Sequence, residues 1–184
     1  MVSFADGVFK LTTADTSYWF RITKFGHLEQ IYYGALLPDD QLAEPLLLKR
    51  TSTLGSSVNY DPDDDMYCMD NLCLVWSGIG MGDYRNTPAE IKMPDGTFST
   101  DFTYQSHKIT NGNINIKTLP SSFGSDESCK TLELTMQDKS NEVSLLLYYT
   151  VYIQTNVITR RAEIIADLKD RGDIAGAGRK SKGI

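Results

Sequence analysis

The strongest constraint on the fold is the lack of helical periodicity along the chain. Apolar residues recur at a 3.6-residue spacing in no sustained stretch. Instead, short runs rich in β-branched and aromatic residues alternate with turn residues; residues 17–23, for example, lie between an Ala14–Asp15 turn and a Phe25–Gly26 turn. Asn111 and Gly112 lie between apolar runs and give a strong hairpin signal, because both residues tolerate positive φ. The pattern predicts a mostly β chain of antiparallel hairpins, with a β-sandwich as the best architecture.

The strands are predicted from these runs in chain order. They cover residues 8–12, 17–23, 27–33, 89–93, 101–110, 113–116, 131–137, 143–153 and 157–165. Residues 38–72 are rich in Pro, Asp, Ser and Asn and form a long connection, with a short helix or 3₁₀ turn near residues 41–48. Residues 167–184 are polar, Gly-rich and basic, which predicts a disordered tail after a single domain at residues 1–166.

Composition narrows the classes of partner and the compartment. A length of 184 residues fits one domain with a sizeable core. The net charge of -6 argues against a nucleic-acid partner, because such proteins carry a basic face. No apolar run is long enough to span a membrane, and no secretory signal is visible at the start. Three cysteines at irregular spacing fit reduced thiols and predict a cytoplasmic location.

A glycine-rich stretch at residues 78–93 is the most distinctive local feature. Glycines at 78, 80 and 82 allow backbone conformations that side chains forbid, and Pro88 then fixes the entry into the next strand. Asp83, Tyr84 and Arg85 are therefore presented from a constrained loop. Two interpretations stay open: a structural loop in which Asp83 and Arg85 form a local salt bridge, and a loop that contacts a ligand.

Several motifs of the chain resemble one protein family in the same order along the sequence. The stretch GDYRNTPA at residues 82–89 resembles the glycine-Asp-aromatic-Arg-x-Pro-Ala motif in the amino-terminal domain of family 36 glycoside hydrolases, the bacterial α-galactosidases. GHLEQIYYG at residues 26–34 and TDFTYQSHKI at residues 100–109 resemble strands of that domain, and NVITR at residues 156–160 closes the series. The resemblance spans residues 3–165.

The resemblance implies a fold, a role and a set of site residues. In the family this domain is a large antiparallel super-sandwich, similar to galactose mutarotase, and two aspartates of a following (β/α)₈ barrel perform the catalysis. The barrel is not part of this sequence, so the chain alone is expected to be inactive, with no catalytic residue. The implied partners are α-galactosides such as melibiose and raffinose, the catalytic barrel and further copies in a homo-oligomer. The candidate substrate-binding residues carried over are Asp83, Arg85, Tyr84, Trp76 and Asp70.

Other site motifs fail on inspection, so neither a metal nor a cofactor is predicted. Asp61, Asp63 and Asp65 resemble the start of an EF-hand loop, but Met66 and Leu72 stand where a glycine and a glutamate are required. Cys68 and Cys73 lack the spacing and the second ligand pair of a zinc site. The alternating glycines lack the Lys-Ser/Thr of a phosphate loop and lead into a strand rather than a helix.

Two alternative functions remain open on sequence grounds. The first is a carbohydrate-binding or interaction sandwich that acts alone. The second is a sugar epimerase, whose general acid and base would come from His27 or His107 with Glu29 or Glu90.

Overall fold

The computed structural model describes residues 1–49, 58–93, 95–114 and 122–166, and the backbone of a short strand at Ile174–Ala175. In these ranges the regular structure consists of strands and two single-turn 3₁₀ helices, Glu44–Leu46 and Met69–Asn71. The strands are β1 Val2–Ala5, β2 Val8–Thr12, β3 Thr16–Ile22, β4 Leu28–Ala35, β5 Glu90–Ile91, β6 Phe102–Asn111, β7 Cys129–Asp138, β8 Val143–Tyr152, β9 Val157–Ala166 and β10 Ile174–Ala175.

Two antiparallel four-stranded sheets form the framework, with strand orders β1-β2-β3-β4 and β6-β7-β8-β9. Each is a meander in which consecutive strands pair, and the connections are short turns except between β6 and β7, where residues 112–128 intervene. The third pairing, β5 with β10, joins Ile91 to Ile174. The pairing of β3 with β4 shifts register between Trp19 and Phe20, a bulge that bends the sheet locally.

The core lies between the two four-stranded sheets. Leu134 of β7 pairs with Leu147 of β8, and both side chains are fully buried. From the other sheet, the rings of Phe9 and Phe20 stack at 5.0 Å, and Phe20 lies 5.4 Å from the ring of Tyr149 in β8. The alternation of apolar and polar residues along each strand therefore places one face in a shared core, and the predicted antiparallel β-sandwich is confirmed.

The predicted elements agree closely with the observed ones, and the differences are local. The 3₁₀ helix at Glu44–Leu46 confirms the helical turn predicted within residues 41–48. The strand predicted at residues 89–93 is only two residues long. Residues 113–114 of another predicted strand do not belong to a strand, and residues 115–116 lie outside the described ranges. Apart from β10, the tail at residues 167–184 also lies outside them, so its disorder stays a prediction.

A second, smaller core forms under the long connection. Tyr67, Met69 and Leu72 are buried together, with Phe25 and Tyr60 packed against them. Residues 73–75 then run along the start of β4, where Gln30 N donates to Cys73 O at 2.7 Å and Val75 N donates to Leu28 O at 2.9 Å. The glycine-rich stretch is thereby anchored beside the first sheet.

Candidate functional site

The loop at residues 78–85, hereafter the glycine loop, has an unusual backbone. Gly80, Met81 and Gly82 all have positive φ, at 92°, 54° and 80°. Left-handed conformations suit glycine, whereas for Met81 the conformation is strained. At Gly80 a side chain would also collide with Ser99, so the glycine is needed for space as well as for conformation. The loop is held in one shape, and Met81 at its apex is 39% exposed.

Asp83 and Arg85 are locked inside this loop by their own contacts. Arg85 Nε donates to Asp83 Oδ1 at 2.9 Å, while Nη1 donates to Leu72 O at 2.6 Å and Nη2 donates to Met69 O at 2.8 Å. The guanidinium thus caps carbonyls of the Met69–Asn71 turn and neutralises a carboxylate whose side chain is 1% exposed. The local salt bridge of the structural interpretation is present, and together with the two carbonyl contacts it engages Nε, Nη1 and Nη2 of Arg85.

The remaining candidate residues differ in their access to solvent. Tyr84 is 68% exposed, because its neighbours Asp83 and Arg85 bond to each other inside the loop and leave its ring in solvent. Asp70 is also exposed. Trp76 is buried in the main core, with the Arg160 guanidinium 5.9 Å from its ring. The structure therefore brings Asp83, Tyr84 and Arg85 into one loop above the turn that holds Asp70, and it assigns Trp76 to the core. Ligand binding by these five residues stays a prediction.

A buried hydrogen-bond network next to the loop was not foreseen from the sequence. At its centre, His27 Nε2 lies 2.8 Å from Asp101 Oδ1, and His27 Nδ1 lies 2.8 Å from the Tyr67 hydroxyl. The Tyr60 hydroxyl donates to the second oxygen of Asp101 at 2.7 Å, and Lys139 Nζ donates to Tyr60. A carboxylate only accepts, so His27 Nε2 carries the proton and a neutral ring accepts at Nδ1 from Tyr67.

Electrostatics explain why this network tolerates burial. Burial raises the pKa of Asp101, but hydrogen bonds from His27 and Tyr60 outweigh it, so the pKa of Asp101 lies below its ordinary value. Burial, followed by the hydrogen bond to Asp101, raises the pKa of Tyr60 well above its ordinary value. The carboxylate therefore stays ionised and the phenol stays neutral at physiological pH.

The network could not be read from the sequence pattern, because His27 and Asp101 are 74 positions apart in the chain. Each belongs to a motif of the family resemblance, at residues 26–34 and 100–109, which was the available signal. The network also bears on the epimerase alternative. His27 is held by Asp101 and Tyr67, Glu29 is paired with Arg21 at 2.9 Å, and His107 accepts from or donates to Tyr104 at 2.8 Å. These partners give the residues structural roles.

The network borders an open cleft, hereafter the polar cleft, with a volume of about 590 Å³. Its walls are the turn at residues 138–141, residues 95, 97 and 99–101, Tyr60 and Met81. Below the glycine loop, Thr100 N donates to Ile79 O at 2.9 Å, so the cleft and the loop share a wall.

Across residues 1–49, 58–93, 95–114 and 122–166, no three His, Cys, Asp or Glu side chains form a group that could hold a metal ion. The same part of the chain has no helix with the length and hydropathy of a membrane span.

Two proteins with α-galactosidase in their names match most of the chain. The bifunctional α-galactosidase/sucrose kinase AgaSK of Mediterraneibacter gnavus is 29% identical over 157 residues, which cover 85% of this chain and 17% of that protein. α-Galactosidase AgaA of Geobacillus stearothermophilus is 30% identical over 156 residues, covering 84% of this chain and 21% of AgaA. The chain thus spans about a fifth of the length of these relatives.

Solved structures agree with the sequence matches. The galactosidase domain of AgaSK superposes with a TM-score of 0.89 at 28% identity, over 96% of this chain and 25% of that one. A variant of AgaA in complex with raffinose superposes with a TM-score of 0.85 at 27% identity, over 92% of this chain and 23% of that one. The model of the glycosyl hydrolase family 36 N-terminal domain matches residues 26–177. The chain therefore belongs to the family of glycosyl hydrolase family 36 N-terminal domains.

Proposed function

We propose that the chain is the non-catalytic N-terminal β-sandwich of an α-galactosidase, and that its glycine loop contacts the α-galactoside substrate. The observation that carries the proposal is the construction of this loop. Asp83 and Arg85 fix it from within, three left-handed residues shape it, and Tyr84 projects 68% exposed from the result. An aromatic ring on a rigid support can stack on a sugar at a low entropic cost.

The state of the buried carboxylates supports a non-catalytic role. A glycosidase needs one carboxyl group to protonate the leaving oxygen and another to act on the sugar or on water. Asp83 is enclosed and paired with Arg85, while both oxygens of Asp101 and both of Asp138 accept hydrogen bonds from within the domain. Their hydrogen bonds would have to break before any of them could face a substrate.

The relatives suggest the substrate class and the partners. Several are named α-galactosidases, and one is solved with raffinose, so we propose α-galactosides such as raffinose and melibiose as ligands. Because this chain spans about a fifth of those proteins, its partners are proposed to be a catalytic barrel domain and further copies in a homo-oligomer. The three cysteines form no disulfide, which supports a cytoplasmic location.

A chimera tests the role of the loop. Residues 1–166 of this chain would replace the matching segment of AgaA, and raffinose hydrolysis would be compared with and without Tyr84→Ala. Loss of one stacking contact is expected to raise KM about fivefold to tenfold with little change in kcat, because the ring contributes to binding rather than to chemistry. An exposed tyrosine away from the loop, Tyr33, provides the matched control Tyr33→Ala. Equal KM values for the Tyr84 and Tyr33 variants would overturn the proposed contact.

A further inference from the structure

The polar cleft forms a second concave surface, separate from the five predicted site residues. Its volume of about 590 Å³ falls in the range of pockets that hold small molecules. None of Asp70, Trp76, Asp83, Tyr84 and Arg85 lines it. It therefore requires its own explanation.

The floor of the polar cleft is built from charges that are already satisfied. Asp138 Oδ1 accepts from the backbone N of Ser140 and of Asn141 at 3.0 and 2.8 Å, and its Oδ2 accepts from Asp101 N at 2.6 Å. Asp101 is bonded to His27 and Tyr60 and lies 3.6 Å from Lys139 Nζ. With these carboxylates engaged, the floor offers neither a metal ligand set nor a free cation for an anion. It is a preorganised polar surface whose carboxylates are already hydrogen-bonded within the domain.

The rim carries neutral polar groups at the solvent boundary. Thr97, Ser99 and Ser140 are exposed residues that carry hydroxyl groups. The Thr97 hydroxyl donates to Asp95 Oδ1 at 2.8 Å and the Asn141 amide donates to Asp138 Oδ1 at 2.9 Å, so both can still accept through their oxygens. Such groups match the hydroxyl groups of a sugar ring. The charged residues that line the cleft are Lys139 against Asp95, Asp101 and Asp138, so its lining is net negative and disfavours an anionic ligand. The hydrogen bonds of Asp101 and Asp138 at the same time leave no open carboxylate on the floor for a cation, which favours a neutral ligand.

Met81 adds an apolar contact and an independent indication of function. Its φ of 54° is strained for a side-chain-bearing residue, and flanking glycines with φ of 92° and 80° hold it there. Backbone strain of this kind concentrates at ligand sites. The outcome is an exposed, flexible thioether at the wall of the polar cleft, suited to pack on the C–H face of a pyranose ring.

We propose that the polar cleft binds a neutral, hydroxyl-rich ligand, a pyranose ring, with Met81 on its apolar face and the hydroxyl groups of Thr97 and Ser140 on its polar edge. The inference goes beyond the proposed function, because it concerns a different surface and needs no catalytic domain. The galactosyl unit of an α-galactoside and a non-galactose sugar unit share this chemistry, so the test includes both.

The methionine methyl groups of the 184-residue chain report on the site directly. ¹³C-methyl-labelled protein would be titrated with methyl α-galactopyranoside, methyl α-glucopyranoside and sucrose. The Met81 signal is expected to shift and saturate in the millimolar range. Met66, which lines a different cleft of about 370 Å³, and the buried Met93 and Met136 are internal controls that should not move. The sugar that moves Met81 at the lowest concentration identifies the source of the ligand.

Variants separate the polar cleft from the glycine loop. Thr97→Val keeps the shape of an exposed side chain and removes its hydroxyl, so it should weaken the Met81 response about threefold to tenfold. Thr110→Val on β6 is the matched control and should leave the response unchanged. Tyr84→Ala should also leave it unchanged, so a failed loop proposal and a failed cleft proposal give different results. Three results would overturn the inference. They are a Met81 signal that none of the three sugars shifts, a Met81 shift no larger than that of Met66, and an equal Met81 response in the Thr97→Val and Thr110→Val variants.

Discussion

Replacing Arg85 with methionine tests whether this side chain stabilises the glycine loop or contacts a ligand. The guanidinium makes hydrogen bonds of 2.9, 2.6 and 2.8 Å to Asp83, Leu72 and Met69. A hydrogen bond that involves a charged group contributes about 1.5–3 kcal/mol, and one third of this side chain is exposed, so we take a total of about 3 kcal/mol. Part of this loss of stability arises because the buried carboxylate of Asp83 is left without its cationic partner.

The assay is urea unfolding followed by tryptophan fluorescence. With a slope of about 2 kcal/mol/M for a chain of this size, the Arg85→Met midpoint should fall by about 1.5 M. Arg85→Lys keeps the charge but loses the planar fork, so it should lower the midpoint about half as much as Arg85→Met does. Lys92→Met, at an exposed position, is the control and should change the free energy of unfolding by no more than about 0.5 kcal/mol.

A double-mutant cycle with Asp83→Asn completes the test. Because Asp83 and Arg85 contact each other, the two losses should overlap by about 1–2 kcal/mol in the double variant. If Arg85→Met were as stable as the parent chain while raffinose affinity fell, the clamp reasoning would be refuted and Arg85 would be a ligand residue.

Three further predictions concern the loop, the network and the core. Gly82→Ala should lower the free energy of unfolding by about 2 kcal/mol or more, since φ of Gly82 is 80° and a new β-carbon would lie 2.8 Å from Val58. Gly96→Ala, at a φ of 86° but in open space, should lower it by only about 1 kcal/mol in the same urea assay. Asp101 has a lowered folded-state pKa, so the stability it supplies is complete above about pH 5 and is lost as the pH falls through that folded pKa. The stability difference between the parent and Asp101→Asn should therefore shrink between about pH 4 and pH 2, and a difference that does not change over this range would contradict the assignment. Phe20→Ala should cost about 3–5 kcal/mol in thermal unfolding, because Phe20 is fully buried between the sheets, and a loss below about 1 kcal/mol would argue against the shared core.

Local signals explain why the fold was predictable. Alternation and turn chemistry act over a few residues, so runs such as residues 143–153 and the Asn111–Gly112 turn indicate strands without knowledge of their partners. The length of β5 was overestimated because residues 89–93 alternate, but only Glu90 and Ile91 pair with another strand.

The site was less predictable because its contacts are distant in sequence. Residue types at 83 and 85 indicate a salt bridge, but no pattern shows that Arg85 also reaches the carbonyls of Met69 and Leu72. Nor does any pattern place Asp101 against His27. Trp76 is a candidate sugar contact through the family resemblance, and no sequence pattern indicates that it packs in the main core with the Arg160 guanidinium 5.9 Å from its ring.

Measuring raffinose hydrolysis with separated parts tests most directly whether the chain is a non-catalytic domain that completes an α-galactosidase. The 184-residue chain, AgaA without its matching segment, and the fusion of the two would be assayed side by side. We expect no hydrolysis by the chain alone, and more hydrolysis by the fusion than by truncated AgaA. Hydrolysis by the chain alone, or a fusion that folds yet gains no activity over truncated AgaA, would contradict it.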